Sequence, residues 1–421
     1  MASYILRGGK KLHGEVSISG SKNAALGIIA ASVLLDGPCT IENIPDIVDV
    51  NIIIEICISL GAKVTHDTTG VITIDPTSIN TYEATHEKVR SIRASYYFMG
   101  ALLGRYKKAT LYMPGGCDFG TRPIDQHLKG FMAIGAKHSI EFGKITLEAE
   151  KLVGDHVYLD VVSVGATMNL MIASTKAEGV TVIENAAREP HIVDLANFLN
   201  TMGANIKGAG TDVIKITGVP FLPANKTYTV IPDQIEAGTF MVAAAATKGD
   251  VTVRNIIPRH MEPLSAKMEE MGVFIDSGDD WIRVRSNEEQ ELHSTNFKTM
   301  PYPGFPTDLQ PQATVLLCIA NGTSKMNENV WDNRFQYIDD LKIMGADIMV
   351  EGRVAIVQGP ANMTGAKVVA RDLRAGAAMV IAGLAATGST EIYDIRLIER
   401  GYENFVNKLR LIGADISKIE N

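Results

Sequence analysis

Apolar stretches of helical length recur along the chain and end at a glycine at nearly constant spacing. In each case the glycine is followed by Ala, or once by Val, and successive glycines lie 68 to 74 residues apart. The six glycines are Gly61, Gly135, Gly203, Gly272, Gly345 and Gly413. A fixed period of this length is typical of a repeated supersecondary unit. The pattern therefore predicts six similar units in sequence.

A second series of glycines subdivides each unit. An upstream helix rich in small residues precedes each one, and a short run with strand-like alternation follows it. These glycines, predicted to be helix C′ residues, are Gly37, Gly104, Gly179, Gly249, Gly322 and Gly388. The strand-like runs cover 39–43, 110–113, 180–185, 251–255, 324–329 and 390–394. Each unit is thus predicted to run strand, helix, strand, helix, strand, strand.

The first helix of each unit has little polar surface. Residues 376–386, for example, are Ala, Gly, Met and other apolar residues throughout. Helices that are apolar all round are typical of a buried position, so we expect helices inside and sheets outside. Six units could form either an open solenoid or two closed groups of three. No polar capping repeat is evident, which favours the closed groups, and the linker-like segment 223–232 indicates a boundary near 229–233.

Composition limits the class of protein. The chain has 421 residues, 46% hydrophobic and 21% charged, which is typical of a soluble protein of two domains. Its net charge of -8 argues against a general nucleic-acid surface, and we expect no membrane span. Charged residues soon after the start predict a cytoplasmic protein without a signal peptide. Cys39, Cys57 and Cys318 are predicted to be buried and inert, and no spacing indicates a metal site.

The fourth cysteine lies in a different setting. Residues 114–123 form a glycine-rich segment in which Cys117 is close to Arg122, and Pro123 can occupy a first helical turn. Nearby backbone N–H groups would face an anion, and the guanidinium would favour a thiolate. An incidental cysteine in an ordinary glycine-rich turn is the alternative.

Cations recur where these helices are predicted to begin, although the helix dipole disfavours them there. Three belong to first helices of a unit and three to second helices. They are Lys22, Arg93, Arg374, Arg122, Arg334 and Arg400. Any one of them could be a solvated surface charge or part of a cap ion pair. Six at corresponding positions predict an electropositive cleft for a substrate with several phosphate or carboxylate groups.

Other polar residues belong to the same predicted helix starts. Asp308 is either a helix cap or a general base, and Asp372 either a cap or a partner that orients Arg374. His127 is a possible donor, whereas His191 is predicted to be structural. The segment from Ser163 to Thr167 indicates a weak diphosphate site at a helix start.

Taken together, these residues resemble those of the enolpyruvyl transferases, in particular the branch that acts on a nucleotide sugar. The resemblance covers essentially the whole chain and rests on an ordered set of short motifs. They are Gly20–Ala24, Val89–Ser95, Pro114–Cys117, Gly120–Pro123, Ser163–Thr167, Phe305–Asp308, Asp332–Phe335, Asp372–Arg374 and Arg400–Glu403.

The resemblance implies an α/β fold, a two-domain inside-out α/β barrel of six βαβαββ repeats with helices buried inside and sheets outside. It implies an N-terminal domain at 22–230, a C-terminal domain formed by 1–21 with 231–421, and an active site in the cleft between them. The implied reaction transfers the enolpyruvyl group of phosphoenolpyruvate to the 3-hydroxyl of UDP-N-acetylglucosamine and releases phosphate, the first committed step of peptidoglycan synthesis. Neither a metal nor an organic cofactor is implied, nor a nucleic acid, membrane or obligate protein partner.

The resemblance also implies roles for individual residues. Cys117 would be the general acid and Asp308 the base, while Lys22, Arg122 and Arg400 would hold the phosphate. Further implied substrate contacts are Asn23, Arg93, His127, Ser163, Val164, Gly165, Val330, Arg334, Asp372 and Arg374. Val161 replaces a lysine that the family often carries, which weakens the prediction for the diphosphate. Asp118 would oppose a thiolate at Cys117.

Three alternatives stay open. The shikimate-pathway enolpyruvyl transferase has the same fold and donor, but Cys117 and the segment 163–167 favour the nucleotide-sugar enzyme. An inactive paralogue that only binds ligands is disfavoured by the joint presence of Cys117, Asp308, Lys22 and Arg400. A repeat-built scaffold would have little reason to keep so many cations at helix starts.

Overall fold

The computed structural model describes residues 2–67, 69–113, 124–287 and 291–420. These residues form two compact units. One unit contains residues 20–113 and 124–231, and the other contains residues 2–19 and 232–420.

Twenty-four strands and thirteen α-helices lie in these described ranges. The strands are β1 (Ser3–Arg7), β2 (His13–Ser17), β3 (Cys39–Glu42), β4 (Lys63–His66), β5 (Ile72–Asp75), β6 (Glu83–Ala84), β7 (Lys108–Tyr112), β8 (Lys137–Glu141), β9 (Lys144–Glu148), β10 (His156–Tyr158), β11 (Val180–Glu184), β12 (Asn205–Lys207), β13 (Val213–Thr217), β14 (Thr227–Thr229), β15 (Asp250–Arg254), β16 (Phe274–Ser277), β17 (Trp281–Arg285), β18 (Phe297–Lys298), β19 (Gly322–Asn327), β20 (Asp347–Glu351), β21 (Val354–Gly359), β22 (Lys367–Val369), β23 (Ser389–Tyr393) and β24 (Asp415–Ile419). The helices are α1 (Lys22–Ser32), α2 (Val48–Ser59), α3 (Tyr97–Tyr106), α4 (Asp125–Ala133), α5 (Val164–Ser174), α6 (Pro190–Thr201), α7 (Gln234–Ala246), α8 (Glu262–Glu270), α9 (Gln310–Ile319), α10 (Ile338–Ile343), α11 (Leu373–Ala385), α12 (Arg396–Glu399) and α13 (Phe405–Leu411). Short 3₁₀ helices cover Glu87–Arg90, Arg93–Tyr96, Pro258–Met261 and Thr307–Leu309.

The strands form six four-stranded sheets, three in each unit. The sheets of residues 20–113 and 124–231 have the orders β14-β3-β5-β4, β6-β7-β9-β8 and β10-β11-β13-β12. Those of the other unit have the orders β16-β17-β15-β2, β18-β19-β21-β20 and β22-β23-β1-β24. In every sheet one parallel pair adjoins an antiparallel pair, as in β10 with β11 and β13 with β12. In five of the sheets the antiparallel pair is a hairpin, and in the sixth β24 pairs with β1. The predicted six βαβαββ repeats are confirmed.

In several sheets a strand pairs with a strand from a distant part of the sequence. Strand β2 is the parallel partner of β15, and β14 is the parallel partner of β3. Strand β1 pairs antiparallel with both β23 and β24, so that Tyr4 lies opposite Ile392 and Lys418. Residues 2–19 therefore complete two sheets of the unit that contains residues 232–420.

Each of the two compact units is built around the first helices of its three repeats, and these helices are buried. In one unit α7, α9 and α11 pack against one another, so the group of three is closed rather than an open solenoid. In the other, α3 packs against α1 and α5. Gly100 of α3 allows close contact, because a Cβ there would lie 2.5 Å from the carbonyl oxygen of Asn169. The prediction of helices inside and sheets outside is confirmed.

The glycines that define the period have a common conformation. All six have φ between 93° and 107°, which favours glycine and ends the second helix before the hairpin. The second series fits less well. Gly179, Gly322 and Gly388 have positive φ, but Gly104 lies inside α3, and Lys107 and Lys248 hold the left-handed conformation near Gly104 and Gly249. The prediction of a C′ position is therefore wrong for this series. A lysine adopts the left-handed conformation near Gly104 and Gly249, and Gly37, Gly179, Gly322 and Gly388 lie three to five residues after the last residue of their helices.

Asparagines fasten the parallel strand pairs. Asn43, Asn185 and Asn255 each follow the second strand of a repeat with φ near 56°. Their side-chain amides donate to the carbonyls of Val230, Leu159 and Ile18 at 2.7–2.8 Å. Each of these carbonyls follows the first strand of the same sheet, so one side chain fixes the ends of both strands.

Three cysteines are buried in the two cores and are free thiols, as predicted. Cys39 and Cys318 have pKa values raised to about 12 by burial, so these thiols are not nucleophilic at neutral pH. Cys57 is likewise fully buried. Within the described ranges, no helix is long and apolar enough to cross a membrane.

Candidate active-site residues

Lys22 begins α1 as a buried cation. Ser21 caps the helix by accepting a hydrogen bond from the Ala24 N–H. Lys22 Nζ lies 2.7 Å from Asp49 Oδ2 in the first turn of α2, and both side chains are buried. The carboxylate offsets the unfavourable position of a cation at a helix start. Asn23, half-buried, is the next residue of α1.

Arg93 and His127 form a second group in the same unit. Arg93 lies in the 3₁₀ helix before α3, and its guanidinium is 6.0 Å from the centre of the Tyr96 ring. His127, in the first turn of α4, is buried, and its Nδ1 has no hydrogen-bond partner among the described residues. Burial and then the charge of Arg93 lower the pKa of His127 to about 4. The imidazole is therefore neutral at physiological pH.

The start of α5 lies directly against His127. The helix begins in the segment where the sequence predicts a helix start, and Ser163 caps it by accepting from the Ala166 N–H at 3.3 Å. A Cβ at Gly165 would lie 2.7 Å from His127 Nε2, so only glycine fits here without displacing the imidazole. Ser163, Val164 and Gly165 are half-buried, and Val161 just before them is 59% exposed. This helix start can accept an anion at its N–H groups.

Asp308 is the centre of a charged group in the other unit. Arg334 Nη2 lies 3.5 Å from Asp308 Oδ1, and Arg374 Nη2 lies 3.2 Å from Asp308 Oδ2. Both guanidinium groups are buried, whereas the carboxylate is 33% exposed. Two fixed cations thus orient a carboxylate that stays accessible, which suits a base.

Arg374 also belongs to a buried polar network. Burial acts to lower the pKa of Arg374, but Tyr402, Asp308 and Asp233 together raise it above its usual value. The guanidinium carbon lies 5.4 Å from the centre of the Tyr402 ring. Gln312 Nε2 donates to Tyr402 Oη at 3.2 Å. This network keeps the guanidinium charged inside an otherwise apolar helix core.

The structure decides whether the two acids are helix caps. Asp372 is the N-cap of α11 and accepts from the backbone N–H groups of Arg374 and Ala375 at 2.7 and 3.0 Å. Asp308 is not at a cap position, because Pro306 and Leu309 occupy the N-caps of the 3₁₀ helix and of α9.

The predicted positions of the cations need correction. Lys22 and Arg374 do lie in first helical turns, but Arg334 precedes α10 and Arg400 lies between α12 and α13. The surface alternative is wrong for Lys22, Arg334 and Arg374, which are buried. Cys117 and Arg122 lie outside the described residues.

Three partners of these residues were missed by sequence reasoning. Asp49, Tyr402 and Glu328 are buried polar residues in contact with the predicted site residues or their neighbours. Asp49 lies in the first turn of α2, where an acidic residue is ordinary, so its own segment gives no signal of its burial. Across the described ranges, no cluster of three His, Cys, Asp or Glu side chains is arranged to hold a metal ion.

Sequence comparison identifies a carboxyvinyltransferase: the chain belongs to the family of EPSP synthase (3-phosphoshikimate 1-carboxyvinyltransferase), whose model matches residues 6–409. Among curated relatives, it is 56% identical to UDP-N-acetylglucosamine 1-carboxyvinyltransferase 3 of Caldanaerobacter subterraneus subsp. tengcongensis, with 100% of each chain covered. It is 54% identical, again over 100% of each chain, to UDP-N-acetylglucosamine 1-carboxyvinyltransferase of Clostridium botulinum. Among solved structures, the enolpyruvyl transferase NikO from Streptomyces tendae superposes with a TM-score of 0.91 at 27% identity, covering 99% of this chain and 98% of that one.

Proposed function

We propose that this enzyme transfers the enolpyruvyl group of phosphoenolpyruvate to the 3-hydroxyl of UDP-N-acetylglucosamine and releases phosphate. The observation that carries the proposal is full-length identity of 54–56% to relatives named for this transfer. We place the reaction in the cytoplasm, as the first committed step of peptidoglycan synthesis.

Asp308 is the proposed base. It accepts the proton of the sugar hydroxyl as that oxygen bonds to C2 of phosphoenolpyruvate. The paired guanidinium groups of Arg334 and Arg374 favour the ionised carboxylate before the proton arrives. They also suit the carboxylate of the donor and the charge that develops in the tetrahedral intermediate.

Cys117 is the proposed acid. Its thiol proton goes to the methylene carbon of phosphoenolpyruvate as the new C–O bond forms, and the sulfur can itself bond to C2 to give an adduct. In the second step the C–O bond to phosphate breaks and the methyl carbon returns a proton to the Cys117 thiolate, which restores the thiol and the double bond of the enolpyruvyl group. Lys22, Arg122 and Arg400 are proposed to hold the departing phosphate.

The nucleotide is assigned to the group around α5. The half-buried start of this helix, with Ser163, Val164 and Gly165, supports a diphosphate contact, and neutral His127 supports a hydrogen bond rather than an ion pair. Asn23, Arg93 and Val330 are proposed as further contacts of the sugar or the intermediate. Asp372 contributes by fixing the start of α11, from which Arg374 projects.

The runner-up acceptor is shikimate 3-phosphate, which the matching family description names. The deciding experiment measures phosphate release from phosphoenolpyruvate with each acceptor, for the native enzyme and for Cys117→Ala. We expect release only with UDP-N-acetylglucosamine and its loss in the variant. Release with shikimate 3-phosphate alone would replace the proposed acceptor, and no release with either would favour a binding protein.

A further inference from the structure

Glu328 is a buried carboxylate that none of the roles above uses. It directly follows β19 and is 1% exposed. Its Oε1 accepts from Thr299 Oγ1 at 2.9 Å and from the N–H groups of Val330 and Trp331 at 2.8 and 3.0 Å. Its Oε2 accepts from Thr307 Oγ1 at 3.0 Å. A carboxylate can accept about four hydrogen bonds, so this one is fully used.

The four donors lie on three separate segments. Thr307 directly precedes Asp308 in its 3₁₀ helix. Val330 and Trp331 begin the segment that leads to Arg334, and Thr299 follows β18. One side chain therefore joins the turn that carries the proposed base to the segment that carries a proposed acceptor contact.

Arg334 makes a second link between the same two segments. Its Nη2 lies 3.4 Å from the Thr307 carbonyl oxygen and 3.5 Å from Asp308 Oδ1. The turn is thus held at the Thr307 side chain by Glu328 and at the Thr307 backbone by Arg334. Freeing the first of these contacts would let the Asp308 carboxylate shift relative to Val330.

We propose that Glu328 is a positioning residue that fixes Asp308 relative to the segment at Val330, so that the base faces the hydroxyl of the bound acceptor. The inference rests on the proposed function. Burying a carboxylate without hydrogen bonds is costly. Of the four donors to Glu328, Val330 is a proposed site residue, Trp331 and Thr307 adjoin one, and Thr299 follows β18. A misplacement of about 1 Å can cost about 100-fold in rate.

The test compares four variants by kcat and by KM for each substrate, with thermal unfolding measured in parallel. Thr307→Val keeps the shape of the side chain and removes only the bond from the base turn. Thr299→Val is the control, because it removes another bond to Glu328, and with it the bond that the Asn329 N–H donates to Thr299 Oγ1 at 2.8 Å, without touching that turn. Glu328→Gln keeps an acceptor for three donors and can donate to Thr307 Oγ1, whereas Glu328→Ala removes all four bonds.

We expect Thr307→Val and Glu328→Ala to lower kcat by about 10- to 100-fold and Glu328→Gln to restore it to within about threefold of the native value. The KM for UDP-N-acetylglucosamine should rise in Glu328→Ala while that for phosphoenolpyruvate stays within about twofold. Thr299→Val should lower the unfolding temperature but leave kcat within about threefold. If Glu328→Ala does not fold, Thr307→Val against Thr299→Val decides.

Three outcomes overturn the inference. Native kcat in Thr307→Val would refute the positioning role alone, and so would equal kcat losses in both threonine variants, since that result indicates general destabilisation. A native enzyme that does not turn over UDP-N-acetylglucosamine would refute the proposed function and this inference with it.

Discussion

Arg374 Nη2 lies 3.2 Å from Asp308 Oδ2, with the guanidinium 4% exposed and the carboxylate 33% exposed. The cation is held inside the helix core by contacts that include Tyr402, so it cannot turn away into solvent. A surface ion pair would exchange partners freely and contribute little. In this pair the fixed cation instead holds the carboxylate in one orientation.

The first prediction concerns Asp308 itself. Asp308→Asn keeps the shape of the side chain but cannot accept the hydroxyl proton, so kcat should fall about 1,000-fold, within the usual range for a lost general base. Calorimetry should find the dissociation constant of UDP-N-acetylglucosamine changed less than about threefold. Asp279→Asn, on an exposed turn of the same unit, is the control. Turnover near the native rate would remove Asp308 as the base.

The repeat architecture could be predicted because its signals are local. A glycine with positive φ must follow each second helix, and the same short strand must follow each first helix, so both recur at a fixed period. The pairing of β1 with β23 and β24 has no such signal, because its partners lie nearly 400 residues away. Gly104 was misplaced because Lys107 adopts the left-handed conformation that glycine usually takes.

The candidate site was predictable in part, for a similar reason. Cations at helix starts conflict with a local rule, which made Lys22 and Arg374 visible in the sequence. Asp49, Tyr402 and Glu328 conflict with no local rule in their own segments. Their burial and their contacts depend on packing between distant segments, which a single sequence does not specify.

The second prediction concerns the buried pair of Lys22 and Asp49. Asp49→Asn removes the carboxylate charge 2.7 Å from the buried Lys22 ammonium, so the free energy of unfolding should fall by about 3 kcal/mol. The KM for phosphoenolpyruvate should also rise, because Lys22 loses the group that fixes its position. Urea unfolding and steady-state kinetics check the two effects. Glu178→Gln is the matched control, since the Lys151–Glu178 pair has a similar distance of 2.6 Å but is exposed, and its loss should cost less than about 0.5 kcal/mol. Equal losses in the two variants would contradict the prediction.

The third prediction is a pH dependence at His127. The pKa of this side chain is lowered from 6.5 to about 4 by burial and the charge of Arg93, so between these values the unfolded chain binds a proton that the folded protein does not. His127 therefore contributes stability that is fully present above pH 6.5 and is lost as the pH falls towards 4. From pH 7 to pH 5 this contribution to the free energy of unfolding should fall by about 2 kcal/mol. In His127→Gln the total loss over the same range should be smaller by that amount, as measured by urea unfolding at each pH. Parallel curves for the two proteins would show that the folded protein binds the proton.

The fourth prediction concerns Val161, where the family often carries a lysine. This side chain is 59% exposed and lies two residues before Ser163, so a lysine placed there can extend without disturbing the core. Val161→Lys should add one exposed contact to the diphosphate and tighten binding of UDP-N-acetylglucosamine by about three- to fivefold, equivalent to less than about 1 kcal/mol. Because the contact is between exposed charges, the gain should shrink as salt rises from 0.05 to about 0.5 M.

Val162→Lys adds the same charge at the neighbouring position and is the control, because the general field of one more cation would affect both variants alike. Calorimetric titration at both salt concentrations separates the cases: a gain at Val161 alone locates the diphosphate beside the start of α5, whereas equal gains in both variants would count against that location.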